Sequence, residues 1–261
     1  MVCLPFILNI LTLSLMIQKY NFAIIIPMAN EAKEFALFIG KLQNTLDFIQ
    51  SGQVYLIVDN ASKDNTRELC ENLSKTDNRF VTIWAPENKS VVDAYIRGYK
   101  EAEPYHDIII EMDAGMSHDP AAIPMFLRVL NEGNECAFGS RFINGGSIWQ
   151  SSIKRSFLSK TGTILSNILL GTKMKDMTSG YQGFNVSVVR QLLNYKLLSK
   201  GHFYQTEVRY LMRELRYIEV PIHYRAPSPS VSYSSVRNSI SVLIHYFTCR
   251  LKFNSKSINN E

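Results

Sequence analysis

Residues 108–120 read IIIEMDAGMSHDP. Three consecutive isoleucines lead into Glu111 and Asp113, and the apolar run stops at Ala114, Gly115 and Met116 before a Ser-His-Asp-Pro turn. A short apolar run bounded by turn signals marks a strand buried on both faces, as in a mostly parallel sheet. Acidic residues at its carboxyl end then stand at the rim of the sheet, where open α/β folds place their ligands. The chain has no Walker-type glycine loop, so carboxylates at that rim point to a hard cation that carries phosphates. An acidic strand end that merely caps the following helix is the competing reading.

Upstream, the same grammar repeats. Residues 22–28, FAIIIPM, form a buried strand ended by Pro27, and residues 30–50 carry apolar side chains at helical spacing with Asn30 placed to cap. VYLIV at 54–58 is a second strand closed by Asp59 and Asn60, followed by the turn ASKDNT and a helix to about Lys75. Phe80 to Trp84 gives a third strand, Val91 to Glu101 a helix, and Asp107 to Met112 the fourth strand. This alternation predicts right-handed crossovers and a parallel sheet. The rim is then expected to collect Pro27, Glu31, Asp59, Asp64, Glu111 and Asp113, and so many carboxylates repel one another unless a cation or hydrogen-bond donors offset the charge.

Downstream of Pro120, the spacing predicts a helix to about Asn131, a strand over 135–139, and the glycine-bearing segment GSRFINGG, which brings Arg141 toward the same region. A helix follows from Lys154 through Leu170. LGTKMKDMTSGYQGF at 170–184 reads as a polar loop with Asp176 at its centre. Phe203 to Leu215 reads as helix, Ile218 to Pro221 as a short strand, and 226–235 as a Ser/Pro loop. The last helix, about Val236 to Phe253, has an apolar side that suits docking on the body of the protein and also suits lying on a membrane.

A chain of 261 residues buries one substantial core, which leaves room for one α/β unit and a C-terminal extension. The formal charge of +5 fits a phosphate-bearing ligand or an anionic membrane surface and is too mild for nucleic acid. Cys3, Cys70, Cys136 and Cys249 are scattered, which excludes a zinc site or disulfide framework and reads as reduced thiols in the cytoplasm. Residues 1–16 are apolar yet shorter than the ~20 residues of a spanning helix. They read as a membrane-associated leader or as a segment ahead of a true start at Met16.

Taken in order, IIIPMANE, VDNASKDNT, AYIRGYKEA, IIEMDAGMSHDP, FGSRFINGG, KDMTSGYQGF, FYQTEV and EVPIHYR resemble the family 2 glycosyltransferases of GT-A fold. Among these the chain is most similar to the dolichol-phosphate mannose synthases and polyprenol-phosphate glycosyltransferases, over Phe22 to Arg225. The resemblance implies a GT-A domain over 21–225 with a mostly parallel sheet, preceded by a leader at 1–20 and followed by an acceptor-side loop and amphipathic helix at 226–261. It implies that Pro27, Ala29, Glu31, Val58, Asp59, Asp113 and Ala114 hold the nucleotide. Asp113 matches the first Asp of the family's D-x-D, with Ser117 and Glu111 as further candidate ligands of a divalent cation, Mg2+ or Mn2+. Arg141 and Arg155 match residues on the phosphates, Gln205 and Arg225 residues near the acceptor, and Asp176 or Asp119 would serve as base if the acceptor were a hydroxyl.

The implied activity is inverting transfer of a sugar from a GDP- or UDP-sugar to a polyprenyl phosphate, at the cytoplasmic face of a membrane. Transfer to a surface glycan, or nucleotide-sugar binding without catalysis, are the alternatives. Three departures stand out. The second Asp of D-x-D is Gly115, the usual glycine-rich stretch before AYIRG is SVVD, and the family's Ser-Lys near the C-terminal loop is replaced by SVSYSS. The QxxRW motif of processive synthases is absent.

Overall fold

The computed structural model describes residues 21–149, 153–201, 203–225, 233–252 and 257. The leader reading for 1–20 and most of the expected Ser/Pro loop lie outside the described residues. Nine strands are described: β1 (Phe22–Met28), β2 (Gln53–Val58), β3 (Phe80–Trp84), β4 (Ile108–Glu111), β5 (Cys136–Ser140), β6 (Ser147–Trp149), β7 (Gln182–Asn185), β8 (Tyr217–Pro221) and β9 (His223–Arg225). The helices are α1 (Phe35–Ile49), α2 (Thr66–Thr76), α3 (Val91–Ala102), α4 (Ile123–Asn131), α5 (Ile153–Leu170), α6 (Val186–Asn194), α7 (Tyr204–Leu211) and α8 (Tyr233–Leu251).

Seven strands form one sheet in the order β3-β2-β1-β4-β7-β5-β8, and β6 pairs with β9 apart from it. β1 runs parallel to β2 with Ile24 opposite Val54, and parallel to β4 with Ile24 opposite Ile110. Successive side chains of a strand point to opposite faces. Ala23 and Ile25 therefore enter one core, with Tyr95, Val189, Val208 and Val242 from α3, α6, α7 and α8. Phe22, Ile24, Ile26 and Met28 enter the other, with Leu42, Cys70 and Phe126 from α1, α2 and α4. Each fully buried Ile of that run contributes roughly 1.5–3 kcal/mol, which is why an unbroken apolar run specifies a central strand. Helix α3 lies so close on β1 that a Cβ at Gly98 would sit 2.2 Å from Ile25 Cγ2.

The sheet is mostly parallel, as expected; among the described strands of that sheet β7 is the exception, running antiparallel to both β4 and β5. This four-residue strand, Gln-Gly-Phe-Asn, has no apolar period of its own; pairing on both sides makes it a strand. Asn30 also departs from its expected role as a helix cap. It sits at φ +60°, and its side chain bridges two loops, accepting from the Lys63 N–H (2.8 Å) and donating to the Ala61 carbonyl (3.0 Å), while α1 begins at Phe35.

Helix α8 docks on the body, one of the two roles its apolar side suits. Val242, Leu243 and Tyr246 are buried. The Tyr246 hydroxyl donates to Glu207 (2.7 Å), and Arg250 donates to the carbonyls of Ile168 (2.9 Å) and Leu169 (3.0 Å) at the end of α5. Among the described residues no helix is long and apolar enough to cross a membrane.

Candidate active site

The carboxyl ends of β1 and β4 open into a crevice of about 740 Å³. One wall is Pro27, Ala29, Glu31, Glu34, Asp113 and Ala114, with Gly115 and Ser117 beyond. Facing it are Arg141, Thr178 to Gly180, Gln205 and Arg225, and Leu165 of α5 with Ile240 and Leu243 of α8 line its outer part. Nine of the residues singled out from sequence thus meet in one cavity despite lying up to two hundred positions apart. Glu34, the 178–180 segment and the two helices at the mouth were not foreseen. Glu34 follows Glu31 by one helical turn, and that spacing was the only signal for it.

Asp113 is held from two directions. Its Oδ1 accepts from the Tyr95 hydroxyl (3.0 Å), and its backbone N–H donates to His118 Nδ1 (3.0 Å). His118 is buried between Tyr181 and Tyr224, with ring centroids 4.9 and 5.4 Å away. Burial lowers its pKa, and an accepting Nδ1 leaves the proton of the neutral ring on Nε2. His118 is thus a prop for the Asp113 backbone.

Several expected roles are corrected by burial and partners. Glu111 cannot be a ligand in the crevice, because it is fully buried beneath it. Its carboxylate accepts from the hydroxyls of Tyr99 and Tyr204 and from Gln182 Nε2 (2.5 Å). Burial outweighs these donors and raises its pKa to about 7. Tyr204 stacks on Tyr95 at 5.5 Å, so this buried group supports the ring that holds Asp113.

Asp176 is likewise unsuited to act as a base. It accepts from Arg141 N–H (3.0 Å), Nε (2.7 Å) and Nη2 (2.8 Å) and from the Thr178 N–H (3.0 Å). Burial alone would raise its pKa, but the Arg141 and Arg209 charges and these bonds hold it at about 2. Asp119 caps the turn after it, accepting from the Ala121 N–H (3.1 Å). Val58 is buried with its carbonyl on the Ala85 N–H (2.9 Å), and Asp59 Oδ1 accepts from the Ala61 N–H (2.8 Å) where β2 ends. The side chain of Arg155, on α5, lies outside the described residues. The Gln205–Glu207 block divides: Gln205 lines the crevice, while Glu207 is buried and accepts from the N–H groups of Leu198 and Ser199 (2.8 Å each) as well as Tyr246.

What remains exposed to a ligand on the β1/β4 side is a hard-oxygen set. Burial first, then the charges of Glu34, Asp113 and Asp64, raise the Glu31 pKa to about 7. A Cβ built on Gly115 would stand 2.8 Å from Glu31 Oε2 and 3.4 Å from Glu34 Oε2, so Glu31 reaches into the space a second D-x-D side chain would take. Among the described residues no three His, Cys, Asp or Glu converge into a self-sufficient metal site. Two carboxylates suit a hard cation whose remaining ligands are phosphate oxygens and water, and the site fits a divalent ion on those terms.

Residues 23–193 match the model of the family described as glycosyl transferase family 2. The chain is 29% identical over 219 residues to polyprenol monophosphomannose synthase of Mycolicibacterium smegmatis, covering 82% of this chain and 81% of that protein. It is 29% identical over 203 residues to undecaprenyl-phosphate mannosyltransferase of Micrococcus luteus, covering 77% and 82%. Among solved structures, glucosyl-3-phosphoglycerate synthase of Mycobacterium tuberculosis superposes with a TM-score of 0.67 in complex with UDP and 0.68 with Mn2+, UDP-glucose and phosphoglyceric acid. Each is 14% identical, with 92% of this chain and 84% of that one covered, a likeness of fold. The chain belongs to glycosyl transferase family 2 and has the GT-A fold.

Proposed function

We infer that this family 2 glycosyltransferase moves a sugar from a GDP- or UDP-sugar to a polyprenyl phosphate at the cytoplasmic surface of a membrane, with inversion at the anomeric carbon. The observation that carries this reading is the two-sided crevice, with Glu31, Glu34 and Asp113 across from Arg141 and Arg225. A nucleotide diphosphate sugar presents base and ribose donors to carboxylates and phosphate oxygens to guanidinium groups. The curated relatives are named for polyprenyl phosphate acceptors, and the structural neighbour binds UDP and UDP-glucose.

In this reading Pro27, Ala29 and Ala114 border the nucleotide, and Asp113 is the pivot between ribose and diphosphate. A divalent cation would be held by Asp113 and Glu31, with Ser117 nearby, and when bound it neutralises charge on the diphosphate leaving group. Arg141 is fixed by three bonds to Asp176, so its orientation toward the phosphates needs no rearrangement as charge develops. An acceptor that is already an anion needs placement more than deprotonation. The engagement of Asp176 and Asp119 by their own neighbours favours such an acceptor over a sugar hydroxyl, which requires a base within reach.

The test is a screen of radiolabelled UDP- and GDP-sugars with polyprenyl phosphate, reading label that partitions into organic solvent. We expect one donor to label the lipid, and Asp113→Asn to abolish labelling while thermal unfolding stays near wild type. Nucleotide binding with neither transfer nor donor hydrolysis would identify a binding protein instead.

A further inference from the structure

One polar side chain on the crevice wall has nothing to bond. Gln205, at the second position of α7, is only 6% exposed and lines the crevice, and among the described residues its amide has no hydrogen-bond partner. Arg141 and Thr206 of the same wall are engaged, the one with Asp176 and Thr178, the other with the Met177 carbonyl (2.7 Å). An amide withdrawn from water and left unpaired carries a desolvation cost that a ligand group can recover.

The space in front of that amide is kept open by a glycine. A Cβ at Gly180 would stand 3.0 Å from Gln205 Nε2 and 3.4 Å from Asp113 Oδ1. Gly180 is not among the described glycines at positive φ, so its backbone conformation does not call for glycine. What the missing side chain provides is room, bounded by the amide, the Asp113 carboxylate and a bare stretch of main chain on the crevice wall.

Chemistry selects the occupant. An amide offers both a donor and an acceptor, and so does a sugar hydroxyl. A phosphate oxygen only accepts, and beside it the amide oxygen would face an anion. The sugar of a nucleotide diphosphate sugar is joined to the outer phosphate, so its place is next to the groups that hold the diphosphate. Gly180 and Gln205 adjoin Asp113, and Arg141 lines the same cavity.

We propose that Gln205 and Gly180 form the subsite for the transferred sugar, in which the amide reads hydroxyls of the ring and the bare main chain at 180 gives the ring room. Gln205 thereby belongs to the donor side of the crevice, whereas the resemblance puts it near the acceptor. The assignment rests on the reading of the crevice as a nucleotide-sugar site and is independent of the acceptor.

The probes are UDP, UDP-glucose, UDP-galactose, UDP-N-acetylglucosamine, GDP and GDP-mannose, titrated calorimetrically with Mn2+ into the full chain and into two variants. Gln205→Met keeps the length of the side chain and removes its polar groups, and Gly180→Ala fills the opening. A sugar-bearing probe bound by the wild type should lose about tenfold in Gln205→Met, equivalent to about 1.4 kcal/mol, and should also weaken in Gly180→Ala. Bare UDP or GDP affinity and thermal unfolding should stay near wild type in both. Equal losses on sugar-bearing and bare nucleotide overturn the proposal, as does no loss on any sugar-bearing probe, or a wild type that binds none. Unchanged probe affinities with a raised KM for polyprenyl phosphate would return Gln205 to the acceptor and overturn it too. Failure of lipid labelling alongside a sugar-selective loss would sink the polyprenyl phosphate reading and leave this subsite standing.

Discussion

Gly115 stands where the family's motif has its second carboxylate, and taken alone that is a lost ligand. Its surroundings give it another meaning. The residue sits at φ +70°, and the space beside it is already reached by Glu31 Oε2 at 2.8 Å from a Cβ position. Left-handed backbone costs a residue with a Cβ roughly 1–2 kcal/mol, and a new carboxylate would also face Glu31 and Glu34. Gly115→Asp, which restores the motif on paper, is therefore expected to lower stability by about 1–3 kcal/mol and to leave Mn2+ and donor affinity no better. Urea unfolding and calorimetric titration of Mn2+ with UDP read the two effects. Tighter Mn2+ binding in the variant would show that Glu31 does not occupy the missing residue's place.

At the level of elements, the first half of the sheet was legible because each of β1, β2 and β4 is an apolar run buried on both faces, and such runs announce themselves. The second half was not. β7 and the following α6 lay within or beyond what reads as a polar loop, since the strand character of Gln182–Asn185 comes from β4 and β5 on either side. The site divides the same way. Residues on the rim, such as Glu31 and Asp113, could be placed from their strands, but roles set by distant partners could not. Nothing in one sequence tells that Glu111 meets Tyr99 and Tyr204, or Asp176 meets Arg141.

The Asp176 loop shows what those partners do. Asp176 ties the loop after α5 to the end of β5 through Arg141, and Arg209 of α7 donates to the carbonyls of Asp176, Ser179 (2.9 Å) and Gly139 (3.1 Å). Breaking a buried ion pair from one side leaves an uncompensated charge. Asp176→Asn is expected to cost about 3–5 kcal/mol in urea unfolding and to weaken nucleotide diphosphate binding as Arg141 loses its orientation. Unchanged nucleotide affinity in a folded variant would reduce the pair to a purely structural bolt.

Over the whole molecule, these buried carboxyls set how stability depends on pH, and they pull in opposite directions. Asp176, held at about 2 against an ordinary 3.8, stabilises the fold above that ordinary value, and its contribution is lost as pH falls toward 2. Glu111 does the reverse. From its ordinary 4.5 up to about 7 the folded chain keeps a proton that the unfolded chain has released, so raising pH through that window removes stability. A single fully buried group gives a slope of at most about 1.4 kcal/mol per pH unit. Glu31 acts in the same direction but is partly solvated, so screening reduces its share. Buried His118 and His106, whose pKa values are lowered from 6.5, act the other way as pH falls below that value, so the Glu111 contribution is read as a difference between wild type and a variant. Glu111→Gln tests the assignment with little disturbance, since the amide oxygen still accepts from the tyrosines and its N–H can be taken by Gln182 Oε1, now buried without a donor, once the Gln182 amide turns over. Across that window the stability lost with rising pH in urea unfolding should be greater in the wild type than in the variant, where Glu31 still titrates, by up to about 1.4 kcal/mol per pH unit. Parallel profiles in both would mean that Glu111 does not hold the proton taken up on folding.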